Sequence, residues 1–246
     1  MIKKVVASIE ARMTSTRLPG KVLLPCVGKP ILELLVERVK RSKVIHKIVV
    51  ATTENRTDDV IVECAKKLGI GYFRGSEEDV VSRVTKAMTA ENADIVVQLT
   101  GDNPLLDPQI IDRMVKIYLA NDIDYISNKL VRSYPIGLDV QVASLDVLRE
   151  SLMIAKDKPQ HEHLFLSVYE NPKKFKLFNL LSEPELCRPD LRWTMDTEQD
   201  YEFICAIYKH FYMKNKNFTS LDVIKYLDTH PEIAAINKNV VQRSAR

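Results

Sequence analysis

Val5-Val6-Ala7-Ser8-Ile9 runs almost directly into Ala11-Arg12-Met13-Thr14-Ser15-Thr16-Arg17-Leu18-Pro19-Gly20-Lys21. The first stretch is short and nearly all apolar, which suits a strand buried on both faces of a parallel sheet. The second carries three cations and three hydroxyls in one loop past that strand's carboxyl end. Guanidinium forks, a lysine point charge and backbone N–H groups are the donors a polyphosphate requires. The same residue types also suit a solvated turn, and spacing alone does not separate the two.

Downstream, apolar periodicity predicts a helix after Pro30, with Ile31, Leu32, Leu34, Leu35, Val36 and Val39 inward. Strands are expected at 47–52, 72–73 and 94–99. Helices are expected between them: one capped by Thr57-Asp58-Asp59 and stopped by Gly69, another opened by Ser76-Glu77-Glu78-Asp79. Alternation of this kind to about residue 125 argues a doubly wound parallel sheet whose ligand site lies beyond the carboxyl ends of its strands.

Beyond that point, strands are predicted at 124–127, 139–142, 175–181 and 191–194. Helices are predicted at 144–156, 161–169, 200–211 and 221–227. The segment from Asn215 onward is helical in pattern and ends in a basic tail, Arg243-Ser244-Ala245-Arg246. With no repeat and no long linker, one domain spanning 1–246 is the simplest count.

Thirty-six basic against 33 acidic residues give a net charge of +3, too balanced for general nucleic-acid binding. An anionic ligand must therefore be met locally. Four scattered cysteines form no CxxC pair and read as reduced thiols, and neither a signal peptide nor a membrane span fits the N-terminus, so a cytoplasmic location is expected.

Two familiar phosphate motifs are absent. Gly20-Lys21 lacks the upstream glycine of a P-loop, and Gly69, Gly71 and Gly75 have the wrong spacing for a dinucleotide fingerprint. Asp102, in Thr100-Gly101-Asp102-Asn103-Pro104, and Asp196, after Arg192-Trp193-Thr194, both follow predicted strand ends. Two such carboxylates could share one Mg²⁺ with substrate phosphates, although each also suits a turn or cap, with Thr197 the alternative cap at the second. His161-Glu162-His163 is not a zinc motif, because residues two apart on a helix face different sides.

Together these blocks resemble the SpsF-like cytidylyltransferase family, related to the CMP-Kdo and CMP-sialic acid synthetases. They run in order from Ala11-Arg12-Met13 and Arg17-Leu18-Pro19-Gly20-Lys21, through Phe73 to Val80 and Thr100 to Leu105. They continue with Tyr134-Pro135, Gly137-Leu138-Asp139-Val140, Glu162-His163, Arg192-Trp193-Thr194 and Asp196-Thr197. The resemblance implies an α/β fold of nucleotide-diphospho-sugar transferase type: a Rossmann-like, mostly parallel twisted sheet with helices on both faces and a small irregular acceptor or dimerisation subregion. It implies a nucleotide-binding half over 1–125 and an acceptor-binding half over 126–246.

By the same resemblance, Arg12, Lys21 and Asp102 are catalytic. Ala11, Arg12, Ser15, Thr16, Arg17, Lys21, Arg74, Gly75, Ser76 and Asp102 bind the nucleotide, and Asp102 and Asp196 hold Mg²⁺. Asn128, Tyr134, Asp139, Gln141, His163, Arg192 and Trp193 face the acceptor. The implied reaction is attack of an acceptor oxygen on the α-phosphorus of CTP with loss of pyrophosphate, the acceptor being a sugar acid or related small molecule and the enzyme a homodimer. The alternatives are a sugar-1-phosphate nucleotidyltransferase, using Lys129, Arg132 or Arg192 on the extra phosphate, and a non-catalytic nucleotide-binding subunit. The family loop usually reads Arg-Met-Gly-Ser. Thr14 stands at its glycine position, where a β-branched residue disfavours positive φ and close approach to a phosphate.

Overall fold

The computed structural model describes residues 3–242; the basic tail from Arg243 lies outside them. The first strand, β1 (Val5–Glu10), is followed by the loop and a small hairpin, β2 (Pro25–Cys26) and β3 (Lys29–Pro30). Next come α1 (Ile31–Val39), β4 (Lys47–Thr53), α2 (Asp59–Lys67), β5 (Gly71–Gly75), α3 (Val80–Ala90), β6 (Ile95–Thr100) and α4 (Pro108–Ala120). The chain continues through β7 (Tyr125–Ser127), β8 (Gln141–Ser144), α5 (Leu145–Ile154), α6 (Lys158–Glu162), α7 (Leu166–Tyr169) and β9 (Leu177–Asn179). It ends with α8 (Glu198–Phe211), α9 (Ser220–Thr229) and α10 (Pro231–Ala235).

Seven strands form one sheet in the order β5-β4-β1-β6-β8-β7-β9. β5, β4, β1 and β6 are mutually parallel, and β8 is antiparallel to both its neighbours. Successive residues of β1 feed opposite cores, which is why its run is apolar without alternation. Val5, Ala7 and Ile9 pack with α1, α4 and α8, whereas Val6 packs with α3, α5 and α7. Helices thus cover both faces, as the alternation predicts. From β1 the chain builds outward to β4 and β5, then crosses back to place β6 on the other side of β1. The loops after β1 and β6 diverge there and open a crevice.

Several predicted elements differ in detail. Asp58 does not cap α2: its carboxylate turns inward to accept from Met13 N at 2.9 Å and from the hydroxyls of Thr52 and Thr53 at 2.8 and 2.6 Å. Gly69 does stop that helix, at φ +64°. The 161–169 helix is instead two short ones, α6 and α7, broken at His163. Leu164, Phe165 and Leu166 are all buried, and three consecutive apolar residues cannot share one helix face. The 191–194 strand reduces to one bridge between Ile136 and Arg192, because its next N–H groups go to different partners: Trp193 to Ile136 O at 2.6 Å and Met195 to Asp102 O at 2.8 Å. The hairpin β2–β3 is not legible from two-residue strands.

Candidate active site

That cross-lacing of backbone places Asp196 beside Asp102. Gly137 makes it possible: its φ is +105°, and a Cβ there would stand 2.5 Å from Thr194 N and from Trp193 C. Thr197 caps α8, with a reciprocal capping box to Asp200, which resolves the choice between Asp196 and Thr197 and leaves the Asp196 carboxylate free to face the crevice.

Lys21 enters from the β1 loop. Its Nζ lies 2.6 Å from Asp102 Oδ2 and 2.8 Å from Asp196 Oδ1. Burial disfavours the ammonium, but the two carboxylates outweigh it and hold the Lys21 pKa above the ordinary lysine value. Arg17 Nη2 reaches the same Asp196 Oδ1 at 2.9 Å, and Arg192 Nη2 reaches Oδ2 at 2.8 Å. Against the cost of burial, Lys21, Arg17 and Arg192 pull the Asp196 carboxyl below its usual range. Thr100 Oγ1 donates to the other Asp102 oxygen at 2.6 Å.

Arg192 is fixed from behind by Asp200, at 2.9 Å and 3.1 Å, and Asn237 donates to Asp200 Oδ1 at 2.8 Å and to Arg192 O at 2.9 Å. Arg192 is therefore a structural clamp on Asp196, with 6% of its surface exposed. Asp200 and Asn237 were not signalled by the sequence. Asp200 looks like an ordinary first-turn acid, and nothing local marks Asn237.

Arg12 stands apart from this cluster. Its Nη1 pairs with Glu77 Oε1 at 3.0 Å, and Glu77 also accepts from the Thr14 hydroxyl and from Asn55 Nδ2. Hydrogen bonds from Thr14 and Asn55 come first in holding the Glu77 pKa below the carboxylate norm. Thr14 is not among the positive-φ residues of the chain, which besides glycines are Val27 and Asn92 among the described residues. The strain expected of Thr14 is therefore absent, and its side chain fastens the loop to the segment after β5. Ala11 is buried, Ser15 is half-buried and Thr16 is exposed on the loop. Arg74 bonds Thr53 O at 2.9 Å and Asn55 O at 2.7 Å, and it pairs with Asp59. Gly75 abuts Arg83, whose guanidinium holds Ser76 O.

On the far side of the crevice, the residues expected at an acceptor divide. Trp193, Tyr134 and Asn128 are fully buried, and Asn128 splints its own loop by bonding Leu138 O at 2.8 Å and Val140 N at 2.9 Å. Asp139 is paired with Arg132 at 2.8 Å. Lys129 sits near this pair, its pKa lowered by burial against the pull of Asp139. His163 is half-buried, and burial lowers its pKa and favours the neutral ring.

Gln141 belongs to a hydrogen-bonded chain across four strands. Tyr125 donates to Gln141, Gln141 to Gln98, and Gln98 to Glu10, which also accepts from Ser8 at 2.9 Å. Every donor points toward the Glu10 carboxylate. Its pKa is pushed up to about 7, burial prevailing over the bonds from Gln98 and Ser8. A charged residue ending an apolar strand at the crevice was the available signal for Glu10.

Among the described residues, no helix is long and apolar enough to cross a membrane. The model of the cytidylyltransferase family matches residues 6–221. The chain is 41% identical over 243 residues to an uncharacterised protein of Methanocaldococcus jannaschii, covering 99% of this chain and 98% of that one. It is 34% identical to the spore coat polysaccharide biosynthesis protein SpsF of Bacillus subtilis, over 92% of this chain and 95% of that protein. A solved cytidylyltransferase from Leptospira borgpetersenii superposes with a TM-score of 0.90 at 37% identity, covering 98% of this chain and all of that one. With the match extending from β1 past the capping box of α8, the chain belongs to the cytidylyltransferase family.

Proposed function

We propose that this protein transfers CMP from CTP to an oxygen of a small anionic acceptor, a sugar acid or related precursor of surface polysaccharide or glycoconjugate, releasing pyrophosphate. The observation that carries this reading is the Lys21 ammonium held between Asp102 and Asp196 at the switch point, with Arg17 on the same carboxylate. The cations of the loop are neutralised by protein carboxylates. A triphosphate would take over those cations and release the carboxylates.

Arg12, Arg17 and Lys21 then bind the phosphate oxygens and stabilise charge on the departing pyrophosphate. The acceptor oxygen forms the new bond to the α-phosphorus as the bond to the bridging α–β oxygen breaks. No enzyme nucleophile is needed. Asp102 and Asp196 already converge on one cation, and two carboxylates plus phosphate oxygens suit Mg²⁺, so they are the residues that would hold it. Bound there, Mg²⁺ would supply neutralisation of phosphate charge.

An anionic acceptor is supported by Lys129, which has no carboxylate within ion-pair distance among the described residues, while Arg132 is paired and Arg192 is committed to Asp196 and Asp200. The same fact weighs against a sugar-1-phosphate acceptor, for which one free cation is a poor match. Pyrophosphate release from CTP over a panel of sugar acids, sugar phosphates and simple hydroxy acids tests the proposal. Release with a sugar acid, abolished in Asp102→Ala, supports it. CTP binding without release from any acceptor would instead favour a non-catalytic subunit. Light scattering of the same preparation tests the homodimer that the resemblance implies.

A further inference from the structure

A second cavity lies away from the crevice, where the end of α1 meets the first turns of α4 and α9. Its volume is about 600 Å³, within the range of small-ligand sites. None of Arg12, Lys21, Asp102 or Asp196 lines it. Four cations do: Arg41, Lys43, Arg113 and Lys116.

The two acids in the wall are already occupied. Asp107 accepts from Gln109 N at 3.0 Å and from Ser220 N at 2.8 Å, joining the amino ends of α4 and α9. Asp112 accepts from the Ser42 hydroxyl at 2.5 Å and from Lys43 N at 3.0 Å. Arg113 pairs with Glu183, but Lys43 and Lys116 have no ion-pair partner among the described residues.

Donors without acceptors lie in this wall, at Arg41, and behind it, at Arg38 and Ser220. Arg41 bonds Lys216 O and Asn217 Oδ1 through Nη1, at 3.0 Å each, while its Nε and Nη2 are buried without a partner. Arg38, only 3% exposed, stacks on the lining Phe218 at 4.4 Å and leaves its own Nη2 unpaired. The Ser220 hydroxyl, on the same α9 turn, is likewise buried and unpaired. Buried donors are nearly always satisfied, so the unpaired nitrogens of the lining Arg41, next to the unpaired Lys43 and Lys116, mark this wall as one with spare cationic capacity for an acceptor from outside the chain.

We infer that this cavity binds the phosphoryl group of a small phosphate-bearing molecule, with Arg41, Lys43 and Lys116 as its cationic contacts. Guanidinium and ammonium groups recognise such oxygens by charge-assisted hydrogen bonds. The volume exceeds a lone phosphate, and Pro108, Ile117 and Phe218 offer an apolar wall to an organic body.

Calorimetric titration with inorganic phosphate and with CMP tests this in a Lys21→Ala background, which weakens the crevice as a competing site. Both probes are expected to bind, and the Lys43→Ala/Lys116→Ala pair is expected to weaken binding at least tenfold. These two lysines are exposed, so the pair leaves the fold intact, which an unchanged melting temperature checks. Equal affinities would assign the site to free phosphate, and tighter CMP to a phosphate ester. Absence of binding by either probe, or binding indifferent to the double substitution, would overturn the inference. Neither result bears on the crevice, whose CTP affinity is measured separately in the otherwise wild-type chain.

Discussion

At the scale of single residues, the strongest expectation concerns Glu10. Its carboxyl ordinarily titrates near 4.5 but is pushed up to about 7 by burial. Between those values the folded chain keeps a proton that the unfolded chain has lost, so stability falls as pH rises through that window and is level above it. The cost above pH 7 is on the order of 2 kcal/mol, allowing for screening at its partly exposed edge. Glu10→Gln removes it. The amides of Gln98 and Gln141 can reverse together, so the chain of hydrogen bonds to Tyr125 survives with opposite polarity. The variant should melt higher than the parent at pH 8, and thermal scans from pH 5 to 8 should lose the parent's slope; a retained slope would refute this account.

Thr14 gives a second case. Glycine suits a phosphate loop when backbone must adopt positive φ, but here residue 14 needs no such conformation and its hydroxyl holds Glu77. Thr14→Gly is therefore expected to loosen the loop and weaken CTP binding by about 1 kcal/mol, roughly fivefold, as the lost hydrogen bond implies. Calorimetry that finds tighter binding would return Thr14 to the role of an obstacle. Lys21→Met should act far more strongly, cutting pyrophosphate release by about 100-fold or more if it stabilises the leaving group. The loop's cations were evident from composition and position. Which of them meets a carboxylate was not, because Asp196 lies 175 residues away from Lys21.

Among the elements, α8 and the turn at Gly137 decide whether Asp196 reaches the crevice. Thr197→Ala removes a cap and should cost about 1 kcal/mol. Gly137→Ala drives a Cβ into the backbone of Trp193 and Thr194 and should cost about 3 kcal/mol or more. Denaturant midpoints of the two variants distinguish them; equal shifts would mean that the turn relaxes freely. The sequence announces strands such as β1, β4 and β6 because both their faces are buried and their runs are mostly apolar without alternation. It conceals the 191–196 segment, whose conformation comes from partners at Ile136 and Asp102 rather than from its own periodicity. The α6–α7 break is hidden for a related reason, since tertiary burial of Leu164 and Phe165 overrides a pattern that reads as helix.

Over the whole molecule, the mostly parallel sheet with helices on both faces followed from alternating strands and helices, whereas the strand order and the antiparallel β8 between β6 and β7 did not. Insertion of β8 makes the second half depend on the first, because β8 has β6 as its edge to pair with. Trp193, the single tryptophan, is fully buried beside the late-arriving segment and so reports its closure. In refolding, far-UV circular dichroism should recover ahead of tryptophan fluorescence, as long-range closures follow local structure. A single shared phase would contradict that order.

The Lys21–Asp196 pair has a consequence for the chain while it is still being made. On the ribosome, the basic loop emerges long before its counter-carboxylate, and every intermediate length carries Arg17 and Lys21 without Asp196. Only a chain extended past Asp196 can pair Arg17 and give Lys21 its second carboxylate beside Asp102, and only one that also includes Asn237 completes the clamp on Arg192. How far synthesis has gone is thus recorded at the crevice: a chain released before Asp196 keeps Arg17 without its carboxylate and Lys21 with Asp102 alone, and a longer one does not.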